Sequence, residues 1–267
     1  MRLRAITGFF FTIVMLASVL LGAGVFTVFY LLLSTFCLYE FYTLMKQSKI
    51  DANNYSGLLF GFIIFSAFAI QFYFPSHKIL VLLPVIMSII FIQELFKRSA
   101  APFTNIAYSF LGIIFAVIPF IFFHALAFVG GSFNFHFPLG FLLMLWANDT
   151  GAYLVGTQLG RTKLFERHSP KKTWEGFIGG IIITAGVAVL FSNYYPELGW
   201  KQWVSVGILI SCFGTLGDLI ESMFKRSINV KDSGGILPGH GGLLDRFDGL
   251  LLAAPIVYAY LYFVTNA

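Results

Sequence analysis

The chain has 267 residues, of which 58% are hydrophobic, 18% aromatic and only 11% charged, against about 25% charged in ordinary soluble domains. A mean hydropathy of +0.84 excludes a water-soluble fold, because a folded monomer of this length exposes more surface than so few polar residues can cover. The net charge of +5 falls in short basic clusters between apolar runs, without the long stripe that tracks a phosphate backbone. No nucleic acid partner is therefore expected, and membrane lipids with anionic headgroups are.

A spanning helix needs about 20 mostly apolar residues. Runs of that kind lie at 5–22, 24–45, 56–75, 79–96, 105–128, 137–159, 174–195, 203–224 and 249–265. The expected fold is all-α, a polytopic integral membrane protein of about nine transmembrane helices in a single membrane domain, 1–267. Residues 1–135 read as mainly scaffold helices, and 136–267 as catalytic helices and cytoplasmic loops. Gly22-Ala23-Gly24 demands a tight hairpin between the first two runs. Glu40, near the end of its run and without polar neighbours in sequence, reads as a packing carboxylate. Cys37 and Cys212 lie in apolar runs without metal-ligand or disulfide spacing and read as small buried hydrophobes.

With the N-terminus cytoplasmic and all nine runs spanning, fifteen of the 17 basic residues fall on the cytoplasmic side, and only Lys78 and Lys201 fall outside. That asymmetry follows the positive-inside rule and orients the chain. Arg2 and Arg4 before residues 5–22 also fit a signal peptide ending near Ala23. Its removal would leave every later loop on the same side, and the run is read as retained.

Nine of the 12 carboxylates lie between 149 and 248, which places chemistry in the second half. Asp149, in Asn148-Asp149-Thr150-Gly151-Ala152-Tyr153, sits inside an apolar run where an ionisable group costs several kcal/mol, so it is a functional candidate. In Ser169-Pro170-Lys171-Lys172-Thr173-Trp174-Glu175-Gly176, Ser169 is expected to cap the next helix with Pro170 at its first position. Lys171 and Lys172 at that helix start suit phosphate, whereas Arg161 and Lys163 read as positive-inside anchors. Asp218, Glu221, Ser222 and Lys225 recur at helical spacing on one stripe, which in lipid implies a water-filled cavity or a metal. Arg226 lies one residue further round.

From Ser222 the chain reads SMFKRSINVKDSGGILPGHGGLLDRFD to Asp248. Its glycines let backbone approach a ligand and form an anion nest. Asp245 and Asp248, at i and i+3, offer two hard oxygens to Mg²⁺, and Arg246 is free to hold phosphate. Carboxylates for a cation beside lysines and arginines for phosphate point to Mg²⁺-dependent phosphoryl or nucleotidyl transfer at the cytoplasmic face. No Walker A pattern is present, so a P-loop enzyme is excluded.

The same 27 residues resemble the signature of the phosphatidate cytidylyltransferase (CDP-diglyceride synthase) family at Ser222, Lys225, Arg226, Lys231, Asp232, Gly234, Pro238, His240, Gly241, Gly242, Asp245, Arg246 and Asp248. The segments around Asp149 and Lys171-Lys172 also resemble family segments. The resemblance implies an enzyme converting CTP and phosphatidate to CDP-diacylglycerol and pyrophosphate, and a homodimer. The expected location is the bacterial inner (plasma) membrane, with the active site facing the cytoplasm as the charge asymmetry places it. The expected metal ligands are Asp218 and Asp245, with Asp248 or Asp149 as a further ligand or its support. Lys171, Lys172, Lys225, Arg226, Lys231 and Arg246 form the expected phosphate clamp, with Asp232, Gly241 and Gly242 on the substrate side. His240 either bonds a phosphate oxygen or braces the Gly-rich loop. Two rival readings are a secondary transporter, which the lack of an internal repeat disfavours, and a CDP-alcohol phosphotransferase, whose acidic pattern is absent around Asp248-Gly249.

Overall fold

The computed structural model describes residues 2–74, 77–234 and 241–265, apart from the side chains of residues 2–5, 77 and 79. Among these, ten α-helices carry nearly all of the regular structure. They are α1 (Arg2–Leu20), α2 (Ala23–Gln47), α3 (Asn54–Gln71), α4 (Leu83–Phe96), α5 (Pro102–Ala116), α6 (Ile118–Leu126), α7 (His136–Leu159), α8 (Trp174–Tyr194), α9 (Trp200–Ser227) and α10 (Leu250–Thr265). Each of the nine apolar runs overlaps an α-helix; the run at 79–96 begins in a 3-10 turn, His77–Leu82, before α4, and the run at 105–128 holds the consecutive pair α5 and α6. Pro119, which lacks the N–H that would continue the ladder, explains the break between these two.

Among the described residues, five helical segments are long and apolar enough to cross a membrane: α2, α3, α5 with α6, α8 and α9. Three further apolar helices are shorter, and α7 is a continuous long helix whose apolar run is broken by Asn148, Asp149 and Thr150. Large apolar side chains such as Phe10, Leu95, Phe96, Ile182 and Phe263 stand exposed along these helices. That distribution suits lipid as the solvent, where helices satisfy their own backbone groups. The chain is an integral membrane protein.

The helices form two compact units. In the first, residues 1–132 and 232–246, α2 packs against α1, α3, α5 and α6. Gly22, at φ 99°, makes the expected tight turn between α1 and α2, a conformation that costs glycine least. Phe26, Tyr30, Phe41 and Tyr42 of α2 are fully buried. Buried Glu94 of α4 accepts amide hydrogens from Asn53 at 3.0 Å and Asn105 at 2.7 Å, tying α4 to the start of α3 and to α5.

In the second unit, residues 133–231 and 247–267, α7 packs on α8, α8 on α9, and α9 on α10. The α7–α8 seam is glycine-lined. A Cβ on Gly176 would lie 2.8 Å from the Ala152 carbonyl oxygen, and one on Gly180 would lie 2.6 Å from Asn148 Oδ1. In lipid, where apolar burial between helices gains nothing, such close approach supplies the packing energy.

One local expectation is overturned. Ser169 and Pro170 do not begin α8. Ser169–Thr173 is a strand, β2, paired antiparallel with β1 (Lys163–Phe165). The cap is Thr173, whose hydroxyl accepts the Gly176 N–H at 3.2 Å. The hairpin is tied down by Glu175, whose carboxylate accepts the backbone N–H groups of Arg161 and Thr162. With those donors gathered at residue 175, the chain stays extended until Thr173.

Candidate active site

The second unit contains a cavity of about 540 Å³ lined by α7, the hairpin, the start of α8 and α9. Four of the residues singled out from sequence meet on its walls: Asp149, Lys171, Lys172 and Asp218. Lys172, at the end of β2, forms an ion pair of 2.5 Å with Asp218 Oδ2 of α9. The other Asp218 oxygen accepts the Ser222 hydroxyl at 3.2 Å, so the helical stripe read from sequence is real and orients this carboxylate. Asn148 Nδ2 lies 3.4 Å from Asp149 Oδ1.

Asp248 reaches Asp218 by a backbone route. A Cβ on Gly217 would lie 2.5 Å from the Asp248 carbonyl oxygen, so only glycine lets that strand of backbone pass against α9. The Asp248 carboxylate accepts the Gly249 N–H at 2.7 Å at the start of α10, the favourable end of a helix for an anion. Burial, and then the carboxylates of Asp218, Glu221 and Asp149, push its pKa well above the ordinary carboxylate range, against the smaller opposing pull of Lys172. Asp149 and Asp218 line the cavity, and the negative charge that they and Glu221 place on Asp248 is a field that a cation would relieve. Among the described residues, no three His, Cys, Asp or Glu side chains converge as a ready-made metal cage.

Several other expected residues have different surroundings. Lys225 is buried and forms an ion pair of 2.5 Å with buried Glu221 one turn earlier on α9. Arg226 is exposed, and its guanidinium donates to the Val230 carbonyl at 3.2 Å, closing the end of α9. Lys231, Asp232 and Arg246 are exposed. His240, with residues 235–239, lies outside the described residues.

Within the first unit, Asp245 Oδ2 accepts the backbone N–H groups of Ser233 at 2.9 Å and Gly242 at 3.0 Å. Gly241, at φ 82°, passes so near Asp245 that a Cβ would lie 2.8 Å from that oxygen. A Cβ on Gly242 would overlap Ser233 and Glu40. Gly241 and Gly242 of the signature thus each have a demonstrable steric reason.

Sequence reasoning missed three things here. Lys163, read as an anchor, lines the cavity, as do Tyr153 and Thr215. Thr173 caps α8, and a Thr directly before the apolar run with Glu175 in the first turn carried that signal. Glu40 is not a carboxylate without polar partners: it accepts hydrogen bonds from Ser233 and Leu244. Its charge inside an apolar run was the available hint.

A sequence profile described as the cytidylyltransferase family matches residues 2–264. The chain is 34% identical over 261 residues to a Staphylococcus aureus (strain COL) protein named phosphatidate cytidylyltransferase, covering 96% of this chain and 97% of the relative. It is 33% identical to a protein of the same name from Staphylococcus haemolyticus, with the same coverage. A Bacillus subtilis (strain 168) protein, also so named, is 32% identical over 268 residues, covering 98% of this chain and 97% of the relative. These matches run through the helices of both units as well as the signature, and they favour neither a transporter nor a CDP-alcohol phosphotransferase. The chain belongs to the cytidylyltransferase family.

Proposed function

We propose that this enzyme transfers the cytidylyl group of CTP to phosphatidate, giving CDP-diacylglycerol and pyrophosphate. The observation that carries the reading, beside the family, is the cavity that brings Lys171, Lys172, Asp149 and Asp218 together. Its volume of about 540 Å³ is in the range of small-molecule sites, and its walls pair cations for phosphate oxygens with carboxylates for a metal.

A phosphatidate oxygen is already anionic, so attack on the α-phosphorus of CTP requires no strong base. One P–O bond forms, the bond to the β-phosphate bridge breaks, and pyrophosphate departs with the electron pair. Catalysis is then positioning and charge neutralisation. Lys171 and Lys172 hold phosphate oxygens, and Asp218 keeps Lys172 aimed at the cavity. Ser222 holds Asp218 in turn.

The donor chemistry of Asp218 and Asp248 fits Mg²⁺, which one or two carboxylates usually hold together with substrate phosphates instead of a full protein cage. When bound, it supplies charge neutralisation on the triphosphate. Asp149 is a further ligand or its support. For Asp245, Arg246, Lys225, Arg226, Lys231, Asp232, His240, Gly241 and Gly242, the functional assignment rests on their match to the signature. Charge asymmetry supports a cytoplasmic N-terminus and a cytoplasmic site, and the bacterial relatives support a bacterial inner membrane. A homodimer rests on the family resemblance.

The test is incubation of purified, folded protein with labelled CTP, Mg²⁺ and phosphatidate. Lipid-linked CMP with equimolar pyrophosphate is expected, and a folded preparation that makes neither overturns the reading.

A further inference from the structure

Glu40 lies on α2 and is 3% exposed. Its Oε2 accepts the Leu244 backbone N–H at 2.7 Å and the Ser233 hydroxyl at 3.1 Å. The Ser233 oxygen accepts the Asp245 N–H at 3.3 Å. Asp245 Oδ2 then receives the N–H groups of Ser233 and Gly242, as above. Gly234 and Gly242 both press so close that a Cβ on either would overlap the Glu40 carboxylate.

Two carboxylates, one from α2 and one from the segment itself, thus gather donors at both ends of the stretch from Ser233 to Leu244. A carboxylate in an apolar helix is costly unless its oxygens are satisfied. Here Oε1 is buried without a hydrogen-bond partner among the described residues, and both donors to Oε2 belong to the signature segment, so the burial of Glu40 depends on the docking of Ser233 and Leu244. Hydrogen bonds to a charged acceptor are among the stronger ones in proteins.

We propose that Glu40 is a positioning residue for the transfer reaction: it docks the signature segment through Ser233 and Leu244 and thereby sets the place of Asp245. The kinetic part rests on the function proposed above, whereas the docking itself does not. Glu40→Gln keeps the shape of the side chain but removes its charge and places an amide where an acceptor is needed.

The experiment combines hydrogen exchange with kinetics on full-length protein in detergent. In Glu40→Gln, the amides at Ser233, Gly242 and Leu244 should exchange at least about tenfold faster, while α3 and α5 keep wild-type protection. The kcat should fall roughly ten- to a hundredfold, with little change in KM for CTP. Ser233→Ala should act in the same direction, and the double variant should lose little more than Glu40→Gln alone, because both act through one network. Unchanged exchange at Leu244, equal loss of protection in α3 and α5, or multiplicative losses in the double variant would each overturn the proposal. A wild-type protein that makes no CDP-diacylglycerol would instead remove the functional reading, with the exchange comparison still deciding whether Glu40 docks the segment.

Discussion

Lys172 and Asp218, 46 positions apart in sequence, meet at 2.5 Å across the cavity between β2 and α9. The pair joins the lysine proposed to hold phosphate to a carboxylate proposed to hold the metal, so its members should not act independently. Asp218→Asn should lower kcat at least about a hundredfold, and Lys172→Met roughly ten- to a hundredfold. The double variant should fall well short of the product of the two losses. Initial rates of lipid-linked CMP formation across the four proteins check this, with circular dichroism confirming that each is folded.

Metal removal gives a second expectation. Chelation with EDTA should abolish turnover, and Mg²⁺ should restore it. The Mg²⁺ concentration for half-maximal rate should rise roughly ten- to a hundredfold in Asp248→Asn. Magnesium titrations of wild type and variant at saturating CTP measure the shift.

The raised pKa of Asp248 sets a pH dependence for the metal-free protein. Native Asp248 holds its proton more tightly than the unfolded chain does, so the native state binds more protons over this window. Stability must then fall as pH rises from the ordinary carboxylate range through the raised native value. Thermal unfolding in EDTA across that range should show the decline, and Asp248→Asn should flatten it.

The α7–α8 seam predicts opposite outcomes for two glycines on the same helix. Gly176→Ala drives a methyl toward the Ala152 carbonyl and Gly156, and should destabilise by about 1–3 kcal/mol. At Gly186 nothing lies within 4 Å of a new Cβ, so Gly186→Ala should be neutral or stabilising by up to about 1 kcal/mol. Denaturation midpoints in one detergent compare the two.

Composition and periodicity were enough to read an all-α membrane protein, because apolar runs of spanning length report their solvent directly. The stripe of Asp218 and Ser222 was legible for the same reason, since helical spacing is local. Lys171, Lys172 and Asp149 could be singled out because charge is rare in this chain. What each of these groups touches could not be read. Ser169 looked like a cap, but Glu175 and Thr173 gather the backbone donors that settle where α8 begins. Lys163 looked like an anchor until the β1–β2 pairing turned it toward the cavity.

The long-range pairings were decided only in three dimensions. Glu40 and Leu244 are 204 positions apart, and no pattern within α2 names that partner. Asp248 stands beside Asp218 because Gly217 lacks a side chain where the backbone passes. Solvent, helices and chemical inventory follow from the chain's local pattern, for these depend on each residue's own polarity and its near neighbours. Tertiary structure alone decided which carboxylate braces the signature segment and which ones face Lys172 in the cavity, because those choices depend on contacts between distant helices.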